Sequence, residues 1–353
     1  MGVHCEINLF KPQDGAFTPG STVSGIIKYA VDEETVFNKI TLSLKGNGLL
    51  ILSDERRRRR DNRIHTYRNS EKYVDIENVL HHSDKSVPVP IGAYEFPFNF
   101  TLPQCIPPSL KYYTRNVSYV IRCNIKYYIS IKFDRPGLFK FAKKMKKEIT
   151  VVSGIKPRLP MEPTIYGEQK KLFQLFTRKP SIVNIKANIE SCVIAPGRTV
   201  QLNYEVFNQT NLNLKGVETK LVEIYTFTTR GQRKIKMSQD VKDTDSKSGA
   251  ITSGNSSNMG LSINLPSDIG SLEYSNLVSR DYFVHITAEI PFPHINATLK
   301  VPLQIGDMND PNLENVDDPP PSYWEVMAED MKQDGDGEGD DDDDDDNASS
   351  EKS

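Results

Sequence analysis

Between Gly92 and Pro103 the chain reads Gly-Ala-Tyr-Glu-Phe-Pro-Phe-Asn-Phe-Thr-Leu-Pro. From Phe96 to Leu102 every second side chain is apolar, which is the spacing of a β-strand with one buried and one solvated face. The same alternation recurs through residues 1–306. Turn-forming glycine and proline groups separate these runs, at Pro19-Gly20, Gly46–Gly48 and Pro196-Gly197. Many short alternating strands with regular turns predict an all-β protein of antiparallel sandwiches.

A weak internal repeat divides this β-rich region into two halves. Phe17–Val23 (Phe-Thr-Pro-Gly-Ser-Thr-Val) is similar to Ile194–Val200 (Ile-Ala-Pro-Gly-Arg-Thr-Val). We therefore expect two tandem immunoglobulin-like β-sandwich domains, over residues 1–153 and 169–306. Residues 154–168 contain three prolines and few strand signals, so we expect them to form a linker.

The formal net charge of −3 conceals a division of charge along the chain. Residues 307–353 contain 19 acidic and 2 basic side chains, which leaves 28 acidic and 42 basic side chains for residues 1–306. The tail therefore carries −17 and the body +14. Asp340–Asp346 is an unbroken run of aspartates, and such a segment cannot bury enough apolar surface to offset its ordering entropy. We expect a disordered acidic tail over 307–353, which aids solubility or folds back onto the basic body.

The Gly92–Pro103 stretch resembles the Phe-Pro-Phe signature of the arrestin domain-containing proteins, the alpha-arrestin family. Other stretches continue the likeness, at Phe17–Gly20, Pro107–Ser109, Val117–Val120, Pro196-Gly197 and Val206–Thr210. The resemblance covers about residues 5–306. It implies two arrestin-type β-sandwiches and a cytosolic adaptor that contacts membrane receptors or transporters as cargo.

The tail contains one short motif with a clear binding chemistry, Pro320-Pro321-Ser322-Tyr323. Prolines preset a polyproline II backbone that docks on an aromatic-lined groove at low entropic cost. In the family, such PPxY motifs recruit HECT-type ubiquitin ligases of the NEDD4 class through WW domains. The resemblance therefore implies a WW-binding site made of Pro320, Pro321, Tyr323 and Val326. Family members commonly carry two such motifs and this chain has one, so we expect weaker recruitment or reliance on dimers.

Two basic clusters interrupt the body. One is a run of five arginines between two predicted strands, and the other is a group of lysines in Leu138–Lys147, a stretch for which a short helix is expected. The candidate anionic lipid or phosphate ligands are Arg56, Arg57, Arg58, Arg59, Arg60, Lys143, Lys144, Lys146 and Lys147. A solvated surface without a ligand is an open alternative. Nucleic acid is disfavoured as a partner because no aromatic residues interleave with the arginines.

The sequence argues against catalysis. It contains no GxSxG elbow, Walker A motif, Rossmann fingerprint or HExxH. The six histidines lack metal-ligand spacing, and the four cysteines are far apart without a CxxC pair. We expect no enzyme activity, no metal and no cofactor.

These observations combine into one functional expectation. We expect a cytoplasmic protein because the N-terminus lacks a signal peptide, and the family resemblance implies that it is peripheral at the plasma membrane and endosomes. Its expected role is to recruit a NEDD4-class ligase to membrane cargo and so promote ubiquitination, endocytosis and sorting. The alternative is a ligase-independent trafficking or receptor-desensitising scaffold.

Overall fold

The computed structural model of the chain describes residues 3–55, 65–82, 88–136, 142–172, 181–231 and 233–308. These residues form two β-sandwich lobes within one compact unit, which confirms the predicted all-β class with two sandwiches. None of the described segments is a helix long and apolar enough to cross a membrane.

The described part of the first lobe contains ten strands. They are β1 (Val3–Phe10), β2 (Thr22–Val31), β3 (Thr35–Val36), β4 (Lys39–Asp54), β5 (His65–His82), β6 (Pro88–Val89), β7 (Gly92–Thr101), β8 (Leu110–Arg115), β9 (Tyr119–Asp134) and β10 (Lys143–Ile149). The small sheet has the order β1-β2-β7, and the large sheet has the order β10-β9-β4-β5 with β8 paired to β9. The Phe-Pro-Phe stretch is β7, where Phe98 and Phe100 are buried in the core between the sheets.

The second lobe repeats this arrangement after the short strand β11 (Gly154–Ile155). Its strands are β12 (Thr164–Leu172), β13 (Ser181–Ile189), β14 (Val193–Ile194), β15 (Thr199–Gln209), β16 (Gly216–Thr228), β17 (Lys234–Asp240), β18 (Ser246–Lys247), β19 (Ser256–Asn264), β20 (Val278–Glu289), β21 (Ala297–Ile305) and β22 (Asp307–Met308). One sheet has the order β12-β13-β15-β19, and the other has the order β14-β21-β20-β16-β17 with β18 on β16.

Two local predictions are wrong. Gly46–Gly48 is not a turn but lies inside β4, where the pairing with β5 shifts register between Gly46 and Asn47. Residues 143–147, predicted within a short helix, belong to β10, because Met145 pairs with the buried Ile131 and Ile149 joins the core. In both cases, pairing with a long neighbouring strand outweighs the local preference for a turn or a helix.

The stretch predicted as a linker over 154–168 is attached to the second lobe at several points. The Gln304 side-chain amide donates to the backbone oxygen of Lys156 at 2.8 Å, and its oxygen accepts from the Arg158 backbone N–H at 2.9 Å. The Ser153 hydroxyl donates to the backbone oxygen of Ser271. Strand β12 then begins at Thr164, inside the predicted linker, because its backbone pairs with β13.

Candidate functional site

The structure describes only part of the predicted site. The residues predicted to bind a WW domain, Pro320, Pro321, Tyr323 and Val326, lie outside the described residues, and so does the arginine run Arg56–Arg60. The four lysines of β10 are described. These four lysines are therefore the predicted site residues whose contacts can be described.

Strand β10 divides its lysines between two directions. Lys144 pairs with Lys132 and Lys146 with Ser130, so these lysines share the outer face of the large sheet. Lys143 and Lys147 pair with the buried residues Phe133 and Ile129 and project at the side of the sandwich. There the Lys143 ammonium donates to the backbone oxygen of Val3 on β1. A single cluster in the sequence thus becomes two separate basic groups.

The outer face that carries Lys144 and Lys146 also contains two buried serine side chains. Ser43 and Ser130 are buried on this face, and their hydroxyl oxygens are 3.4 Å apart. The pKa of Lys144 is lowered by burial first and then by the positive charges of Lys146, Lys45 and Lys132. Hydroxyl groups beside crowded ammonium groups are well suited to holding an oxyanion, which would relieve the repulsion.

Acidic residues on β5, β9 and β10 neutralise other lysines of this face, since Lys132 contacts Asp134 at 2.7 Å and Lys126 contacts Glu148 at 3.0 Å. Lys45 contacts Asp75 at 3.0 Å and Glu77 at 2.7 Å, and the hydrogen bonds that its ammonium donates to these carboxylates, to Glu77 above all, raise its pKa. Among the described residues no carboxylate lies within ion-pair distance of Lys144 or Lys146. On β10, the uncompensated positive charge of this face is therefore that of Lys144 and Lys146.

The basic face continues along the sheet towards the far end of β4. Arg122 on β9 and Arg68 on β5 both pair with Ile51 of β4, so they flank it on one cross-strand row. The Arg122 guanidinium lies 5.2 Å from the centre of the Tyr113 ring. Lys146 likewise lies 4.4 Å from the ring centre of Tyr128. Both tyrosines on this face are thus in contact with a cation.

The second lobe carries a basic row that sequence reasoning missed. Lys220 of β16 and Lys300 of β21 both pair with His285 of β20, which places three basic side chains side by side. Burial lowers the pKa of His285, and the charges of Lys300 and Lys220 lower it further. The buried His285 Nε2 has no hydrogen-bond partner among the described residues. In the sequence, the only sign of this row was one basic residue at an outward-facing position in each of three strands whose side chains alternate between apolar and polar.

We expect this histidine to make the second lobe sensitive to acid. Because its folded pKa lies below the ordinary 6.5, the unfolded chain binds the proton first as the pH falls. Stability is therefore lost below about pH 6.5. In denaturant titrations at pH 7.5 and 5.5, His285→Gln should lose less stability on acidification than the parent. An identical loss in His285→Gln and the parent would contradict this.

An exposed apolar tip closes the hairpin of β20 and β21. In the loop Pro291–Asn296, Phe292 is 93% exposed and Ile295 is 76% exposed. The Ile290 N–H donates to the Asn296 side-chain oxygen at 2.9 Å, and the His294 N–H donates to the Pro291 oxygen at 3.2 Å. The loop thus presents two large apolar side chains on an internally bonded turn, a form suited to contact with a lipid interface.

Comparisons with known proteins agree with this two-lobed architecture. Residues 5–157 match the family model described as Arrestin (or S-antigen), N-terminal domain, and residues 179–309 match Arrestin (or S-antigen), C-terminal domain. The chain is also similar to Arrestin domain-containing protein 5 of Homo sapiens, with 22% identity over 319 residues. That alignment covers 86% of this chain and 88% of the relative.

Proposed function

Because the chain belongs to the arrestin domain-containing proteins, a family of adaptors and trafficking scaffolds rather than enzymes, we propose that it recruits a ubiquitin ligase to membrane cargo. The ligase is of the HECT type and NEDD4 class, and the cargo is a membrane receptor or transporter. Ubiquitin added to the cargo then promotes endocytosis and sorting. The protein acts in the cytoplasm, at the surface of the plasma membrane and endosomes.

The observation that carries this proposal is the PPxY sequence Pro320–Tyr323 in the same chain as two arrestin domains. The prolines favour the extended polyproline II conformation, and the tyrosine ring adds a second anchor for the WW groove. A ligase held on the same chain as the cargo-binding lobes acts at a high effective concentration. A short linear motif can therefore be sufficient for recruitment.

The basic faces and the apolar tip support contact with an anionic membrane. Lys144 and Lys146 on the first lobe and Lys300 on the second present positive charge on their outer sheet faces, whereas Lys220 is paired with Asp240 at 2.9 Å. Each basic residue near an anionic surface contributes about 1 kcal/mol. Insertion of Phe292 and Ile295 into the headgroup region would bury their apolar surface and strengthen membrane binding.

Charge reversal tests this membrane contact. We expect Lys144→Glu/Lys146→Glu to reduce partitioning onto phosphatidylserine-containing vesicles at least about tenfold, because each reversal replaces attraction by repulsion. Co-sedimentation at two salt concentrations measures the effect. The matched control, Lys143→Glu/Lys147→Glu, makes the same charge change on the same strand away from the outer face. Equal losses in the two variants would show that net charge matters and the face does not.

Reconstitution tests the adaptor role itself. The purified full chain, a NEDD4-class ligase and a receptor or transporter in proteoliposomes are combined, and ubiquitin on the cargo is quantified. We expect the chain to raise cargo ubiquitination and Tyr323→Ala to remove that increase. Ubiquitination that survives this substitution would favour a ligase-independent trafficking or receptor-desensitising scaffold.

A further inference from the structure

Strand β19 of the second lobe lacks the features that normally keep a sheet edge from pairing with another chain. Its sequence, Ser-Ser-Asn-Met-Gly-Leu-Ser-Ile-Asn, contains no charged residue and no proline. Its register with β15 is constant over all nine residues, so no β-bulge bends it. Among the described residues β19 pairs with β15 alone. A regular, uncharged edge of this length is a template for a further strand.

The other long edge strands are protected. In the described part of the chain, every other edge strand of more than two residues carries at least one charged side chain, namely β1, β5, β7, β8, β10, β12 and β17. In addition, β5 has two register shifts and β7 contains Pro97. Strand β12, at the opposite edge of the same sheet as β19, carries Glu168, Lys170 and Lys171. Because charges and prolines oppose edge-to-edge association, β19 is the edge most open to it.

The hydrogen bonds between β15 and β19 identify the backbone groups of β19 that are free. Just past one end of the paired segment, the Leu265 N–H donates to the Arg198 oxygen at 2.9 Å. Just past the other end, the Asn208 N–H donates to the Asn255 oxygen at 3.0 Å. Since hydrogen-bonded pairs recur at every second residue of an antiparallel ladder, the odd-numbered residues of β19 bond to β15. The residues whose N–H and C=O groups point to the open edge are therefore Ser256, Asn258, Gly260, Ser262 and Asn264.

We propose that β19 pairs with β19 of a second copy of this chain, antiparallel and about a twofold axis at Gly260. The opposing residues are then Gly260 with Gly260, Asn258 with Ser262, and Ser256 with Asn264. All of them have edge-facing backbone groups, so every free N–H and C=O of the strand obtains a partner. A twofold interface requires a surface that complements itself, and this strand does so because small polar residues oppose one another without any charge.

The inner face of β19 adds apolar contacts to this pairing. Met259 and Leu261 are half-buried and pack against the core of the second lobe. In the proposed register Met259 of each copy lies opposite Leu261 of the other, so pairing buries more of both side chains. One strand pair is nevertheless smaller than a standard protein interface. We therefore expect a weak dimer with a Kd in the micromolar range.

The dimer would join two tails, and with them two PPxY motifs, in one assembly. Two linked motifs raise the apparent affinity for a partner that has two binding domains. The single motif of each chain would then be compensated by self-association. This consequence rests on the proposed function, whereas the pairing of β19 does not.

Sedimentation velocity of the full chain, without ligase, tests the pairing. We expect the parent to dimerise as its concentration rises. Gly260→Asp should weaken dimerisation at least about tenfold, because it places two carboxylates directly opposite each other. The matched control, Gly167→Asp on β12, makes the same change at the opposite edge of the same sheet and should dimerise like the parent. An equimolar mixture of Gly260→Asp and Gly260→Lys should dimerise again, because opposite charges then meet at the axis.

Three outcomes would overturn this pairing. A parent that stays monomeric at about 100 μM would leave the edge to an extended peptide of another protein. Equal losses in Gly260→Asp and Gly167→Asp would show that added negative charge matters and its position does not. A mixture of Gly260→Asp and Gly260→Lys that stays monomeric would show that residue 260 does not face itself. If Gly260→Asp does not fold, Ser262→Pro carries the test, because it removes an edge-facing N–H without removing a bond to β15.

Discussion

A peptide spanning Asp317–Asp330 is expected to bind WW domains of NEDD4-class ligases, and Tyr323→Ala is expected to weaken that binding at least about 30-fold. We expect the tyrosine ring to fill a pocket separate from the proline groove, and a buried aromatic anchor of this kind contributes about 2 kcal/mol or more to binding. Removal of the ring leaves the proline contacts and the smaller apolar contact of Val326. Isothermal titration of both peptides against a panel of WW domains measures the difference.

Two further peptides make this test specific. Ser322→Ala is the matched control, because Ser322 occupies the variable position of the PPxY motif and its change should be neutral. Val326→Ala should weaken binding less than Tyr323→Ala, since this position is an additional apolar contact in related motifs. If Tyr323→Ala and Ser322→Ala bind equally, tyrosine recognition is absent and the tail is an ordinary proline-rich segment. The function would then have to be sought in the lobes.

The single motif limits how tightly one chain can hold a ligase. Two linked motifs can multiply apparent affinity by roughly 10²–10⁴, and this gain is not available to a chain with one motif. Membrane contact can supply part of the missing avidity, because binding to a surface confines both adaptor and ligase. We therefore expect membrane contact through the basic faces and Phe292 to strengthen recruitment of the ligase.

Much of the architecture could be predicted from the residue pattern. The alternation from Phe96 to Leu102 predicted a strand with one buried face, and the repeated Pro-Gly turns predicted a tandem sandwich. Local signals failed where long-range pairing decides the conformation. Lys143–Ile149 forms a strand because its backbone pairs with the edge of β9. Gly46–Gly48 continues a strand because β5 and β9 pair with it on both sides.

The candidate site was predictable only where its residues are neighbours in sequence. The lysine cluster of β10 was visible as a run, but its division between an outer face and a side depends on strand pairing. The row formed by Lys220, His285 and Lys300 brings together residues from three separate strands. Each is an ordinary surface residue when taken alone. Cross-strand register, which a single sequence does not reveal, creates the row.

Gly46 should be among the least replaceable residues of the first lobe. A Cβ atom at this position would lie 2.4 and 2.5 Å from ring carbons of Tyr127, which is fully buried. The ring cannot withdraw easily, because its hydroxyl donates to the Pro107 oxygen at 2.6 Å. Overpacking together with loss of this hydrogen bond should cost about 3 kcal/mol.

We therefore expect Gly46→Ala to lower the Tm by about 5–10 °C, measured by calorimetry. The control is Gly249→Ala, where no atom lies within 4 Å of the added carbon, so the Tm should barely change. In a Tyr127→Leu background the smaller side chain leaves room, and Gly46→Ala should then cost much less than it does alone. Equal effects of Gly46→Ala in both backgrounds would show that the Tyr127 ring is not the obstacle. A strong interaction between the two substitutions would instead explain why glycine occupies the middle of a long, buried strand.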